Sequence, residues 1–157
     1  MKWFRRLAAL VLGLMLILSL GGCGGNGDER EIRATLNSFA SACQQLDLNA
    51  MLDCMSPDAA TPLRGGASLM GTLTGKTPEE ILDQAVPFLF GDDYASSDFL
   101  RSLRLKVEDI AVAEDTATAL CTLSYTLEGE KKERDMSIQL VKLEVEGESG
   151  WYISSLN

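Results

Sequence analysis

The hydrophobic pattern of this 157-residue chain changes its period near residue 100, and that change constrains the fold more than any other feature. Before it, apolar side chains recur at steps of three and four residues, as they do along one face of a helix. After it, apolar and polar residues alternate, most cleanly over residues 116–127, as in an antiparallel strand with one buried face. Helices followed by strands are typical of an α+β domain, in which the helices pack on one face of an antiparallel sheet.

The helical half is predicted to contain three helices and one long loop. A first helix opens at Asp28 and runs to about Gln45, and a short second helix is capped by Asp47 and closed by Ser56-Pro57. A third helix starts at Thr77-Pro78 and ends near residues 88–91. Residues 57–77 contain four glycines and two prolines without a clean period, so we expect a long loop there. The apolar stripe of the first helix consists of Ile32, Leu36, Phe39, Cys43 and Leu46.

The second half is predicted to form about four strands. The parity of the apolar positions shifts near Glu108-Asp109 and again at Leu140-Val141, which predicts a bulge at the first point and a bulge or a bent strand at the second. The last strand starts at Trp151. The inward face of the strand over residues 116–127 is predicted to consist of Ala117, Ala119, Cys121, Leu123, Tyr125 and Leu127.

The first residues are predicted to lie outside the domain. A basic segment, residues 1–6, precedes fourteen uncharged and mostly apolar residues, a pattern that is typical of a secretory signal and short for a spanning helix. The next motif, Leu20-Gly21-Gly22-Cys23, resembles the lipobox of bacterial lipoproteins, in which the cysteine receives a diacylglycerol and the signal is cut just before it. The resemblance implies a signal peptide over residues 1–22, a lipidated flexible tether over 23–28, a domain over 29–157, and a lipid anchor in the cell membrane with the domain on the extracytoplasmic side.

The net charge of the predicted exported chain argues against anionic surfaces and nucleic acid as partners. Residues 1–22 carry three bases and no acid, so the exported chain keeps 11 of the 14 basic residues and all 23 acidic ones, a formal net charge of −12. Anionic headgroups should hold such a domain away from the membrane surface. A nucleic-acid partner is not expected either, because a phosphate backbone requires a basic patch.

The order of the predicted elements and the C-terminal Gly150-Trp151-Tyr152-Ile153 resemble the NTF2-like superfamily, which has the cystatin-like cone fold. Within this superfamily, the pattern most resembles that of small bacterial lipoproteins with DUF4878-type domains, and the resemblance covers residues 28–157. It implies N-terminal helices packed on a curved antiparallel sheet of about four strands. It also implies a cone whose mouth often binds a small molecule.

This resemblance leaves three functions open. The favoured one is a non-catalytic module that binds a small apolar ligand or a protein partner, with no residue in a catalytic role. The second is an enzyme of the isomerase or cyclase type, because such members use Asp, Tyr or His in the pocket as acid and base. The chain has no histidine, and the candidate pair is Tyr125, on an inward strand face, with Asp109 at the predicted bulge. The third is a module that forms a homodimer through its sheet face.

A ligand pocket under this fold would be lined by the first helix and by the inward faces of the strands. Its predicted lining residues are Phe39, Cys43, Leu105, Val107, Cys121, Leu123, Tyr125 and Trp151.

With Cys23 assigned to lipid, three cysteines remain, namely Cys43, Cys54 and Cys121. They form no C-x-x-C pair, and three thiols without histidine make a poor zinc site, so neither a metal nor a cofactor is predicted. Cys43 and Cys54 lie on successive helices and could form a disulfide after export, while buried free thiols are the favoured interpretation.

Overall fold

The computed structural model describes residues 25–91, 94 and 98–157 of the chain. Within these ranges five helices precede four strands, as the change of period predicts. The signal peptide and Cys23 lie outside the described residues. Among the helices of the described ranges, none is long and apolar enough to cross a membrane. The elements are α1 (Gly25–Gln45), α2 (Leu48–Asp53), α3 (Pro57–Thr74), α4 (Pro78–Phe90), α5 (Asp98–Ser102), β1 (Arg104–Ala113), β2 (Thr116–Leu127), β3 (Glu130–Val145) and β4 (Glu148–Leu156).

The four strands form one antiparallel sheet in the order β1-β2-β3-β4. The β2–β3 and β3–β4 connections are two-residue turns, Glu128-Gly129 and Glu146-Gly147, and all four residues have positive φ. Two successive residues with positive φ are the requirement of the type I′ hairpin turn, which favours glycine at the second position. The turns therefore fix the register of the last three strands.

The predicted bulge in β1 is confirmed. The β1–β2 register shifts between Val107 and Asp109, which leaves Glu108 as the extra residue. The second break, predicted at Leu140-Val141 as a bulge or a bent strand, is not a bulge of β3 against β2, because β2 and β3 pair regularly there. The register shift lies between β3 and β4, where Ser154 of β4 is the extra residue. β2 ends opposite Val141, and beyond that residue β3 pairs with β4 alone. The apolar residues in this last part of β3 lie on the opposite face of the sheet from Ile138 and Leu140.

The core lies between α1 and the inner face of the sheet. The predicted stripe of α1 is buried from Ile32 to Cys43, and it faces the buried inward residues of β2. Two hydrogen bonds fix the helix across the sheet: Thr35 Oγ1 donates to the Trp151 carbonyl at 3.0 Å, and Gln44 Nε2 donates to the Leu103 carbonyl at 2.8 Å. The helix is therefore held at both ends of its apolar stripe.

Residues 57–74 form a helix rather than the predicted loop. α3 and α4 begin in the same way, with proline in the first turn and an acidic residue after it. The start of α3 is Ser56-Pro57-Asp58, and that of α4 is Thr77-Pro78 followed by Glu79. Gly75 ends the helix in the left-handed conformation, at φ 64°. The glycines and Pro62 lower the helix propensity of this segment, but packing against its neighbours outweighs that loss.

The other helix termini agree with the sequence. The Asp47 side chain accepts a hydrogen bond from the Ala50 N–H at 3.0 Å and caps α2, as predicted. Thr77 and Glu80 form a capping box at the start of α4, which runs through Pro87 to Phe90. The start of α1 differs, since the helix begins at Gly25, inside the flexible tether predicted for residues 23–28.

Candidate functional site

An open cavity of about 310 Å³ lies where the end of α4 meets the inner face of the sheet. We call it the mouth cavity. Polar and apolar groups share its walls about equally, and the polar side chains among the described lining residues are Tyr94, Arg134 and Asn157. Among the described residues, the lining consists of Pro87, Leu89, Phe90, Gly91, Tyr94, Leu123, Arg134, Met136, Leu156 and Asn157.

The β2–β3 register sorts the charges of β3 between the two faces of the sheet. Leu123 pairs with Arg134 and Tyr125 pairs with Lys132, and paired residues of an antiparallel sheet share a face. Because Leu123 and Tyr125 are buried on the inner face, both cations belong to that face. Glu133 and Asp135 belong to the outer face, whereas Glu130, which pairs with Leu127 at the start of β3, shares the inner face.

A buried pair of phenols lies behind the mouth cavity. The hydroxyl groups of Tyr94 and Tyr125 are 2.9 Å apart and hydrogen-bonded, and both side chains are buried. Their rings contact each other edge to face, with centroids 5.4 Å apart, and Phe99 packs against both. This cluster closes the inner end of the cavity with aromatic rings and fixes the position of Tyr94, which reaches the cavity wall.

The predicted pocket-lining residues are mostly core residues. Leu123 lines the mouth cavity. The others pack in the hydrophobic core or against it, and none of them lines that cavity. Phe39, Cys43, Cys121, Tyr125 and Trp151 are buried, whereas Leu105 and Val107 are partly buried.

The candidate catalytic pair is not brought together. Asp109 pairs with Leu120, which is 50% exposed on the outer face of the sheet, and Asp109 itself is exposed. Tyr125 is buried on the inner face, five residues further along β2, a distance of roughly 16 Å. The bulge at Glu108 sets the parity of β1 so that Asp109 points away from the cone, and an enzyme that uses this pair is therefore excluded.

The three cysteines in the described ranges are free thiols. Burial raises the pKa of Cys43, and the neighbouring Cys54 raises it further. Burial also raises the pKa of Cys54, and it raises the pKa of Cys121 to about 11. These thiols are protonated at neutral pH and are poor nucleophiles or metal ligands.

The described residues contain no group of three or more His, Cys, Asp or Glu side chains that could hold a metal ion.

The sequence pattern does not single out the polar residues of the mouth cavity. Residues 131–134 have mixed charge, which is typical of a solvated hairpin end. The two-residue period of β3 does contain this information. It places Arg134 and Lys132 on the same face as Met136 and Ile138. Tyr94 could not be assigned, since it lies between helices and follows no period.

The outer face of the sheet is polar around one exposed leucine. Leu120 is surrounded by Glu108, Thr122 and Asp135, and Thr122 Oγ1 is within 3.3 Å of both carboxylates. Homodimerisation through this face stays a prediction, which light scattering of the purified protein would test.

Comparison with solved structures identifies the fold. An NTF2-like protein of unknown function from Shewanella oneidensis matches with a TM-score of 0.51 and 13% identity, over 82% of this chain and 95% of that one. An NTF2-like protein with a cystatin-like fold from Novosphingobium aromaticivorans has a TM-score of 0.47, 17% identity, and coverage of 96% and 86%. A putative calcium/calmodulin-dependent protein kinase II association domain from Xanthomonas campestris has a TM-score of 0.46, 15% identity, and coverage of 82% and 84%.

The predicted fold class is therefore confirmed: the chain has an NTF2-like fold, with helices followed by a curved four-stranded antiparallel sheet. No protein-family model and no curated protein matches the sequence.

Proposed function

We propose that this protein is a lipid-anchored, extracytoplasmic binding module whose mouth cavity takes a small anionic ligand with an apolar body. The observation that carries the proposal is the sorting of charge on β3, which places Arg134 in the cavity and the neighbouring acids on the other face. The Arg134 guanidinium adds a positive charge to the wall of the cavity, and such a charge attracts an anion.

The walls of the cavity supply the second part of the recognition. Leu123, Met136 and Leu156 offer an apolar surface, and about 310 Å³ is at the small end of the range typical of ligand sites, about 300–1,000 Å³. A planar guanidinium binds a carboxylate through two parallel hydrogen bonds. The ligand class that fits is thus a small carboxylate with a hydrocarbon or aromatic body.

Binding without turnover is the role that these groups support. The described residues that line the cavity include no carboxylate, and its phenol, Tyr94, is hydrogen-bonded to Tyr125. An acid–base pair of the isomerase type needs a base within hydrogen-bonding reach of the substrate, and Asp109 lies on the other face.

Calorimetric titration with phenylacetate, and with the neutral phenylacetamide as comparison, tests the anionic site. We expect Arg134→Gln to weaken phenylacetate binding about tenfold or more, because it removes a charge-assisted hydrogen bond. Phenylacetamide should bind more weakly than phenylacetate to the unmodified protein.

Lys131→Gln is the matched control, because it removes one positive charge from the outer face of the same strand. It should change phenylacetate affinity less than about twofold, since an exposed charge acts only through screened solvent. Equal losses in the two variants, or equal binding of phenylacetate and phenylacetamide, would contradict the assignment of the ligand to the mouth cavity.

The membrane anchor rests on residues 1–23, and metabolic labelling tests it. Cells given radiolabelled palmitate should label the protein, and Cys23→Ser should abolish the label and accumulate the unprocessed precursor, because the thiol that accepts the lipid is gone. Cys43→Ser is the control and should be labelled normally. Label in the Cys23→Ser protein would overturn the lipoprotein assignment.

A further inference from the structure

A second and larger groove, of about 530 Å³, lies between α2, α3 and α4. We call it the α3 groove. It shares no residue with the mouth cavity, and Gln84 is the one polar side chain among its described lining residues. The lining consists of Leu48, Pro62, Leu63, Gly66, Ala67, Ile81, Gln84 and Ala85.

The α3 groove opens at one side into a polar depression. The two share Leu48, Ala67 and Ile81, so they form one continuous surface. The polar depression, of about 750 Å³, adds the side chains of Gln45, Asp47, Asn49, Arg64 and Ser68. A hydrocarbon section joined to a hydrogen-bonding section is the shape that a single-chain amphiphile requires.

The charges of the polar depression decide the headgroup. Arg64 forms an ion pair with Asp53, and Asp47 caps α2 by accepting a hydrogen bond from the Ala50 N–H, so the described lining of the polar depression offers no unpaired cation to an anionic headgroup. An anionic headgroup would be repelled there. The Asn49 amide and the Ser68 hydroxyl have no hydrogen-bond partner among the described residues, and both can bind hydroxyl groups.

We propose that the α3 groove and the polar depression bind a single-chain lipid with an uncharged, hydroxylated headgroup, of the monoacylglycerol class. The acyl chain lies against Leu63, Ala67 and Ile81, and the glycerol hydroxyls meet Asn49 and Ser68. Removal of the acyl chain from water supplies the main driving force for this binding.

The lipid on Cys23 is not the occupant. Cys23 lies two residues before the start of α1, whereas the polar depression contains Gln45, at the other end of this 21-residue helix. A helix of that length spans about 31 Å, which the single residue between Cys23 and Gly25 cannot bridge.

Two adjacent glycines of α3 provide the test. Gly65 and Gly66 both have open space where a Cβ would lie, but only Gly66 of the two lines the α3 groove. Both Gly65→Phe and Gly66→Phe replace a helical glycine by a residue of higher helix propensity, so both should fold. The protein is purified as the cell processes it, stripped of bound lipid, and titrated calorimetrically with monopalmitoylglycerol below its micellar concentration.

We expect one equivalent of monopalmitoylglycerol to bind the unmodified protein and the Gly65→Phe variant, and the affinity of Gly66→Phe to fall about tenfold or more. Palmitate should bind at least about tenfold more weakly than monopalmitoylglycerol. Equal binding to both variants, or tighter binding of palmitate, would overturn the proposal. The proposal would also be overturned if monopalmitoylglycerol did not bind and Gly66→Phe abolished self-association or adsorption to phosphatidylcholine vesicles. The groove would then serve a second copy of the chain or a bilayer.

Discussion

At the scale of single residues, Asp28 ties the start of α1 to the sheet. Its Oδ1 accepts a hydrogen bond from Lys142 Nζ at 2.8 Å and another from Trp151 Nε1 at 3.0 Å. The Lys142 ammonium also lies 5.8 Å from the centroid of the Trp151 ring. These contacts hold the beginning of the domain five residues after Cys23.

Asp28→Asn should destabilise the protein near neutral pH, and the loss should depend on pH. The hydrogen bonds from Lys142 and then Trp151 lower the pKa of Asp28, so its stabilisation is present above the unfolded carboxyl pKa of about 4 and is lost as the pH falls through the lower folded value. The hydrogen bond to Asp28 raises the pKa of Lys142, so the same contribution is lost again as the pH rises above the usual lysine range.

Urea unfolding at a series of pH values, monitored by Trp151 fluorescence, measures this prediction. The difference in unfolding free energy between the unmodified protein and Asp28→Asn should be flat near neutrality and shrink at both extremes. Glu29→Gln, which changes an adjacent acid, should show no such profile. A difference that does not vary with pH would mean that the Asp28 carboxylate makes no charged contact in solution.

The cysteines give a prediction that separates free thiols from a disulfide. Unfolding without reductant should expose three thiols to Ellman's reagent, whereas a bond between Cys43 and Cys54 would leave one. In the folded protein Cys121 should react about a hundredfold more slowly than an unperturbed thiol, because burial raises its pKa from 9.0 to about 11 and lowers the thiolate fraction.

At the scale of elements, α3 is the helix whose stability is least supported by its own sequence. It carries Gly65 and Gly66 in its interior, and Pro62 removes one backbone donor. On its outer side, Leu69 and Leu73 are 63% and 78% exposed, so these side chains make few packing contacts and add little to the stability of the helix.

Gly65→Ala should therefore stabilise the protein by about 1 kcal/mol, because alanine loses less backbone entropy than glycine in a helix. Thermal unfolding followed by circular dichroism measures the change. Gly75→Ala is the contrasting variant and should destabilise, since Gly75 has a φ of 64°. If residues 57–74 were a loop in solution, Gly65→Ala would have no such stabilising effect.

Most elements could be predicted because their signals are local. The stripe of α1, the caps at Asp47 and Thr77, and the alternation of β2 each depend on residues within a few positions of one another. The start signal at Ser56-Pro57-Asp58 is local too, but the glycines after it favour a loop, and the packing that stabilises α3 comes from elsewhere in the chain. The β4 bulge at Ser154 was missed because a register shift is a property of two strands.

The candidate site was less predictable, because it depends on which elements meet. Inward-facing residues such as Phe39 and Trp151 were correctly predicted to face the interior, yet the helices fill the cone around them. The space that remains lies at the rim, and Arg134, Tyr94 and the end of α4 reach it only through the tertiary fold.

At the scale of the whole molecule, the predicted anchor and the mouth cavity lie at opposite ends of the sheet. Asp28 binds Lys142, whose N–H donates to the Asp115 carbonyl at the β1–β2 turn, where β2 begins. Arg134 pairs with Leu123, near the far end of β2. Eight residues of β3 separate Lys142 from Arg134, a distance of roughly 26 Å.

A lipid on Cys23 should therefore place the Asp28 end next to the bilayer and direct the mouth cavity away from it. Without the predicted signal peptide the chain would carry a net charge of −12, so anionic headgroups should repel the rest of the domain and keep it upright. Trp151 would then be the only tryptophan of the protein, and it would lie at the end of the domain next to the proposed anchor.

Energy transfer from tryptophan to dansyl-labelled headgroups measures this orientation in vesicles that contain anionic lipid. We expect strong transfer from Trp151 in the processed protein, and markedly weaker transfer from the tryptophan of a Trp151→Phe, Leu127→Trp double variant, because position 127 ends β2 at the distal turn. Raising the salt concentration should bring the two values closer, since screening removes the repulsion that keeps the domain upright. Equal transfer from both positions at low salt would show that the domain lies flat on the membrane, and the mouth cavity would then open beside the bilayer rather than away from it.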